Sequence, residues 1–228
     1  MNRLVLTRRQ TLSGLVLLSP AAWALDLSKA DATAGVKAAL ERGAELAVAN
    51  LGQADGFLGN PKVRIPLPGW LEQGAKLLKA TGQGHRVEEL ETAMNRAAEA
   101  AVPAAKPLLL NAVKTMSVAD AKGILSGGDT SVTDFFAGRT RTPLSAKFLP
   151  IVTDATRKVD LAQKANAVMG KLGGLGLGGK QPQTIEQHVT AKALDGLFMM
   201  IGEEERKIRQ DPVGTGSALL GKVFGSLR

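Results

Sequence analysis

IEQHVTAKALDGLFMMIGEEERKIR, residues 185–209, has a strongly helical periodicity. Its apolar residues Ile185, Val189, Ala193, Leu197 and Ile201 recur every four positions, with Leu194 and Phe198 beside them, the pattern of a helix with one buried face. Glu203 with Lys207, and Glu205 with Arg209, stand at helical ion-pair spacing. Pro212 ends this helix or opens the next, and a last amphipathic helix from Ser217 to Leu227 gathers Leu220, Val223, Phe224 and Leu227 on one side.

A helix with one apolar face needs others to pack against. Residues 31–51 carry Val36, Leu40, Leu46 and Val48 among many alanines, with Asp31 or Thr33 as the cap. Residues 69–80 give a short helix and 85–101 a longer one, whose Val87, Leu90, Ala93, Met94, Ala97, Ala98 and Ala101 make a smooth face for close approach. Pro103 and Pro107 sit at the end of that helix or in the first turn of the next, over 108–116. Ser117 and Asp120 form a capping box for a helix that halts at Gly127-Gly128. Asp129 or Thr130 caps a short helix holding Phe135 and Phe136, and after Thr142-Pro143 another helical pattern runs from Leu144 to Leu172, bent at Pro150.

Between the first two helices, Asp55-Gly56-Phe57-Leu58-Gly59-Asn60-Pro61 is a turn cluster, and Pro66 and Pro68 at alternate positions forbid helix and favour an extended arm that buries Ile65, Leu67 and Trp70. Residues 170–183 read as a glycine-rich linker. Only 4% of residues are aromatic, with no Tyr and no Cys, so the core is aliphatic and unaided by disulfides or thiolate metal sites. The expectation is an all-α, single-domain bundle of about eight to nine helices with a Pro-rich extended arm, covering residues 25–228.

Residues 1–24 read as a signal peptide: a basic start with Arg3, Arg8 and Arg9, an apolar core, Pro20, and small residues at Ala22 and Ala24 that place cleavage after Ala24. Arg8-Arg9 also suits the twin-arginine route, although Thr11 stands where that motif usually has Phe, and both routes lead to the periplasm. The net charge of +8 includes those three arginines, so the mature chain carries +5. This excess is spread along the chain and lacks stacking aromatics, which argues against nucleic-acid binding. No later segment has the 20 or so apolar residues that cross a bilayer, leaving peripheral contact as the membrane option.

Several phrases in order, Asp55-Gly56-Phe57-Leu58-Gly59-Asn60-Pro61, Ile65-Pro66-Leu67-Pro68, Met94-Asn95-Arg96-Ala97-Ala98-Glu99, Lys192-Ala193-Leu194-Asp195-Gly196-Leu197-Phe198 and Val223-Phe224-Gly225, resemble the bacterial family known as domain of unknown function 4197. The likeness runs from about Leu27 to Gly225. It implies an exported, all-helical protein and carries no activity. Gly214-Thr215-Gly216 departs from the family, where an arginine is expected after Asp211-Pro212; a pairing of that arginine with an acid such as Glu204 is then missing here.

Few residues suggest chemistry. Gly174 to Lys180 has the spacing of a phosphate-binding loop, but Gln181 replaces the magnesium-holding hydroxyl and no buried strand precedes it. His85 and His188 are the only histidines, and neither belongs to a Glu-x-x-His or His-Glu-x-x-His motif. No cofactor, metal ligand or catalytic residue is assigned. His188 and Asp195 share a stripe of one helix, read as solvated. Glu91, Asn95 and Glu99, with Arg96 beside them, stripe an otherwise apolar helix; they form either an internal network with charges such as Asp195 and Glu204, or a ligand site. Asn95, Arg96, Glu99, Asp195 and Glu204 are therefore the candidate site residues. Three functions stay open: a periplasmic non-catalytic binding or protein-interaction module, its partner an unknown protein or hydrophobic ligand; a carrier or sensor of lipid or another hydrophobic ligand at the membrane surface; and an acid–base enzyme using Glu99 and Asp195.

Overall fold

A computed structural model describes residues 29–128, 130–160, 162–165 and 183–211. These contain seven α-helices and no strand: α1 Lys29–Leu51, α2 Gly69–Ala80, α3 Gly84–Ala101, α4 Lys106–Lys114, α5 Val118–Ser126, α6 Ser131–Thr156 and α7 Ile185–Gln210. A 3₁₀ turn, Val102–Ala105, joins α3 to α4, with Pro103 and Pro107 in first turns where a missing N–H costs nothing. The signal segment, most of the glycine-rich stretch with its loop-like motif, and the helix expected over 217–227 lie outside the described residues.

Two of the expected helices are one. The sequence suggested a break at Thr142-Pro143, yet α6 runs unbroken through Pro143 and Pro150. Its buried residues Val132, Phe136, Thr140, Leu144, Phe148, Val152 and Thr156 recur every four positions, and this stripe, packed mainly on α7 and α3, outweighs the local proline penalty. Both prolines face solvent, as do Arg139 and Ala146, whose carbonyls lose their helical donors to the prolines and remain open to water. The helical pattern expected to reach Leu172 is interrupted by a turn at 157–158.

α7 carries the matching stripe. Ile185, Val189, Ala193, Leu194, Leu197, Phe198 and Ile201 are all buried, and full burial of each large apolar side chain contributes about 1.5–3 kcal/mol. Small residues set the spacing of the pair: a Cβ on Gly202 would stand 2.7 Å from Thr133 Oγ1 of α6. α3 lies against both helices, α1 packs on α7, α4 and α5, and α2 packs mainly on α3. One hydrophobic cluster runs through α1 and α3 to α7.

Caps and ion pairs mix agreement with correction. Ser117 and Asp120 make the expected capping box, whose bonds to Ser117 hold the Asp120 carboxyl below its usual range. α7 has a second box, in which the Thr184 hydroxyl accepts the Gln187 N–H and the Gln187 side chain accepts the Thr184 N–H. α1 starts at Lys29, so Asp31 and Thr33 lie inside it and do not cap it. The spacing of Glu203 and Lys207 did not yield a pair: Glu203 takes Lys62, and Lys207 takes Glu204. An exposed helical pair is worth only about 0.3–0.5 kcal/mol, so a better-placed partner displaces it.

Pro143→Ala restores a donor to the Arg139 carbonyl. It should raise stability by about 1–2 kcal/mol in urea melts, less than the ~3 kcal/mol helix penalty of proline because proline also narrows the unfolded ensemble. An unchanged or lower midpoint would show that α6 needs its proline.

Candidate functional site

The polar stripe of α3 meets the non-helical segment between α1 and α2. That segment leaves α1 by a tight turn in which Asp55 adopts a left-handed φ of 66°. At Gly56 a Cβ would lie 2.5 Å from the Leu51 carbonyl oxygen, so only glycine fits. The turn inserts Phe57, fully buried, against Gly196 of α7, where a Cβ would come within 2.9 Å of its ring and 3.3 Å of Val63.

Backbone groups stranded by this path are received by α3 side chains. Glu99 Oε1 accepts the N–H groups of Phe57 and Leu58 at 3.0 and 3.1 Å, and Glu99 Oε2 accepts Arg96 Nη1 at 2.7 Å. Arg96 Nη2 reaches Asp55 Oδ1 at 2.8 Å, closing the turn. The bond to Glu99 outweighs burial, and with a further contribution from Asp55 it holds the Arg96 guanidinium above its ordinary value. One turn earlier, Asn95 Oδ1 accepts the Ile65 N–H at 2.8 Å, while Asn95 Nδ2 donates to the Ile65 and Glu91 carbonyls at 3.0 and 2.8 Å. Asn95 thus pairs with Ile65 as a neighbouring strand would.

Outer contacts complete the attachment. Arg64 Nε meets Glu91 at 3.2 Å and Lys62 meets Glu203 of α7 at 2.8 Å. His188 Nε2 lies 3.1 Å from the Pro66 carbonyl oxygen, so His188 is half-buried against the segment and not on a solvated stripe. Loss of solvation lowers its titration below the ordinary histidine range, against the upward pull of Pro66 and with the help of Lys192. Ile65 is buried, and Leu67 and Trp70 are partly so.

Of the five candidate residues, Asn95, Arg96 and Glu99 are brought together. Asp195 bonds Arg141 of α6 at 2.9 Å, and Glu204 bonds Lys207 at 2.6 Å. No hydrogen bond or ion pair among the described residues joins either of these acids to Arg96 or Glu99. Three of the roughly four acceptor positions of the Glu99 carboxylate are taken, and the residue is 5% exposed. The geometry is that of a latch fastening one chain segment to two helices. Sequence reasoning missed Asp55, Arg64 and Arg141. The Asp-Gly turn pointed at the first, but nothing local points at the others.

Three outcomes follow. Glu99→Ala leaves two N–H groups without an acceptor and should cost on the order of 3 kcal/mol in denaturant melts, Glu99→Gln less; equal, negligible losses would dismiss the latch. Gly196→Val should displace Phe57 and lower the midpoint by a similar amount. For His188, the folded value lies below the unfolded one, about 6.5, so its contribution is full above that pH and is lost as pH falls through the folded value. The stability difference between pH 7.5 and 5.5 should shrink in His188→Gln, and an unchanged difference would remove His188 from the acid response.

No curated protein and no solved structure matches the chain. The model of one family, described as protein of unknown function (DUF4197), matches residues 26–225, and the chain belongs to that family.

Proposed function

We propose that the protein is exported, loses residues 1–24, and works in the periplasm as a non-catalytic binding module, a single domain over residues 25–228. The observation that carries this reading is the occupancy of the polar cluster: Asn95, Arg96 and Glu99 spend their hydrogen bonds on their own chain. Glu99 and Asp195 have separate cationic partners, so the acid–base reading lacks a converging carboxylate pair. What faces outward is suited to contact. α2 leaves Leu77 67% exposed, and the seam between α6 and α7 opens into grooves around Arg141.

A second reading, a carrier or sensor of a hydrophobic ligand, draws on those grooves. The apolar cleft between α1, α5, α6 and α7, lined by Val36, Leu40, Ile124 and Ile201, encloses only about 20 Å³. That is room for about one water and not for an acyl chain. No described helix is long and apolar enough to cross a membrane, so contact with a bilayer would be at its surface.

Native mass spectrometry of the protein recovered from a periplasmic fraction tests the reading. The expected mass begins at Leu25 and includes a bound molecule or partner that Leu77→Glu or a groove substitution releases without lowering the melting temperature. A chain that keeps Met1, or a bare mass at every concentration, would sink it.

A further inference from the structure

The acids in the second half of α7 are unevenly placed. Glu203 reaches Lys62, Glu204 pairs with Lys207 and backs on Gly43 of α1, and Glu205 lines the interior cleft. Asp195, nearer the start of α7, pairs with Arg141 and lines one groove of the α6–α7 seam together with Arg141 and Arg206. Arg141 is fixed by one bond to Asp195 and by its guanidinium lying 5.0 Å from the Phe198 ring centroid. Its other N–H groups make no hydrogen bond to a described residue. Arg206 spends Nε on the Gly202 carbonyl, and its terminal nitrogens likewise have no partner among the described residues.

Both guanidiniums border one groove of about 370 Å³, together with the Thr130 and Thr133 hydroxyls and Met199. Two cations against one carboxylate leave it positive. Arg141 also borders the adjoining groove of about 450 Å³, where Leu149, 37% exposed, and half-buried Ala191 supply apolar wall beside Ser145, Gln187 and Thr190. From Leu194 to Gln187 that second groove follows α7 for roughly 10 Å at a rise of about 1.5 Å per residue. A cationic end thus opens onto a partly apolar trough, with Arg141 where they meet.

We propose that this seam binds an amphiphilic phosphate, its head between Arg141 and Arg206 and its hydrocarbon tail along Leu149 and Ala191. Guanidinium forks match phosphate oxygens, and Arg141 rests against Phe198 at the junction of the two grooves. The proposal rests on the binding-module reading and names its ligand class.

Calorimetric titration of the mature protein with dodecyl phosphate below its micelle concentration tests it, with inorganic phosphate as the headgroup control. Binding of dodecyl phosphate should be at least tenfold tighter than that of inorganic phosphate and should weaken at least tenfold in Arg206→Glu. Among the described residues Arg206 bonds only its own helix, so that variant should keep the fold, as a circular-dichroism melt would record; Arg141→Gln should weaken binding too. Co-sedimentation with phosphatidylglycerol vesicles but not phosphatidylcholine vesicles assigns the head to a bilayer lipid, and monomer binding without co-sedimentation assigns it to a free amphiphile. No binding of dodecyl phosphate, equal binding in Arg206→Glu, or inorganic phosphate binding as tightly would overturn the proposal. None of these results would touch the binding-module reading, which stands or falls on the native mass.

Discussion

A buried carboxylate that must be given hydrogen-bond donors organises this molecule. Glu99 sits on a helix face that, Asn95 apart, is made of alanine, valine, leucine and methionine, where an unpaired charge is untenable. The chain meets that demand by bringing two consecutive amides of the 52–68 segment onto one oxygen and Arg96 onto the other. Those amides, turned away from any helix, need an acceptor as much as the acid needs donors. Each solves the other's desolvation, and Asn95 repeats the arrangement one turn away with Ile65.

Apolar packing and polar pairing are therefore divided between surfaces. α6 and α7 meet along side chains in four-residue steps, with Gly202 admitting Thr133, and their union depends on shape. α3 joins the same core through its alanines but turns its polar edge to the segment, where directional bonds fix register in a way that alanine faces alone do not. Gly196 links the two regimes, because its missing side chain is the space that Phe57 fills.

The sequence made the periodic features legible. The stripe of α7, the small-residue face of α3, the Ser117 box and the membership of Asn95, Arg96 and Glu99 in one cluster all follow from spacing within a single element. What spacing does not contain is which distant group answers a charge. Asp195 was grouped with the α3 cluster because both are polar on buried helices, yet a neighbour on α6, Arg141, holds it. Glu203 and Lys207 had ideal separation and still parted, since a weak exposed pair yields to geometry. Pro143 misled for the opposite reason: a strong local rule was overridden by a long buried stripe whose solvent side accommodates the prolines.

The attachment of the segment to α7 also carries a consequence for the order of events in biogenesis. Lys62 and Glu203 are 141 positions apart, and Pro66 and His188 are 122. A ribosome adding about 5–20 residues per second emits the aromatic of the Asp-Gly-Phe turn on the order of ten seconds before the helix that receives it. If α3 takes up the amides in that interval the ring has no floor, and the chain is then half-fastened with an exposed phenyl group. Holdases that shield such groups would find their substrate in this interval.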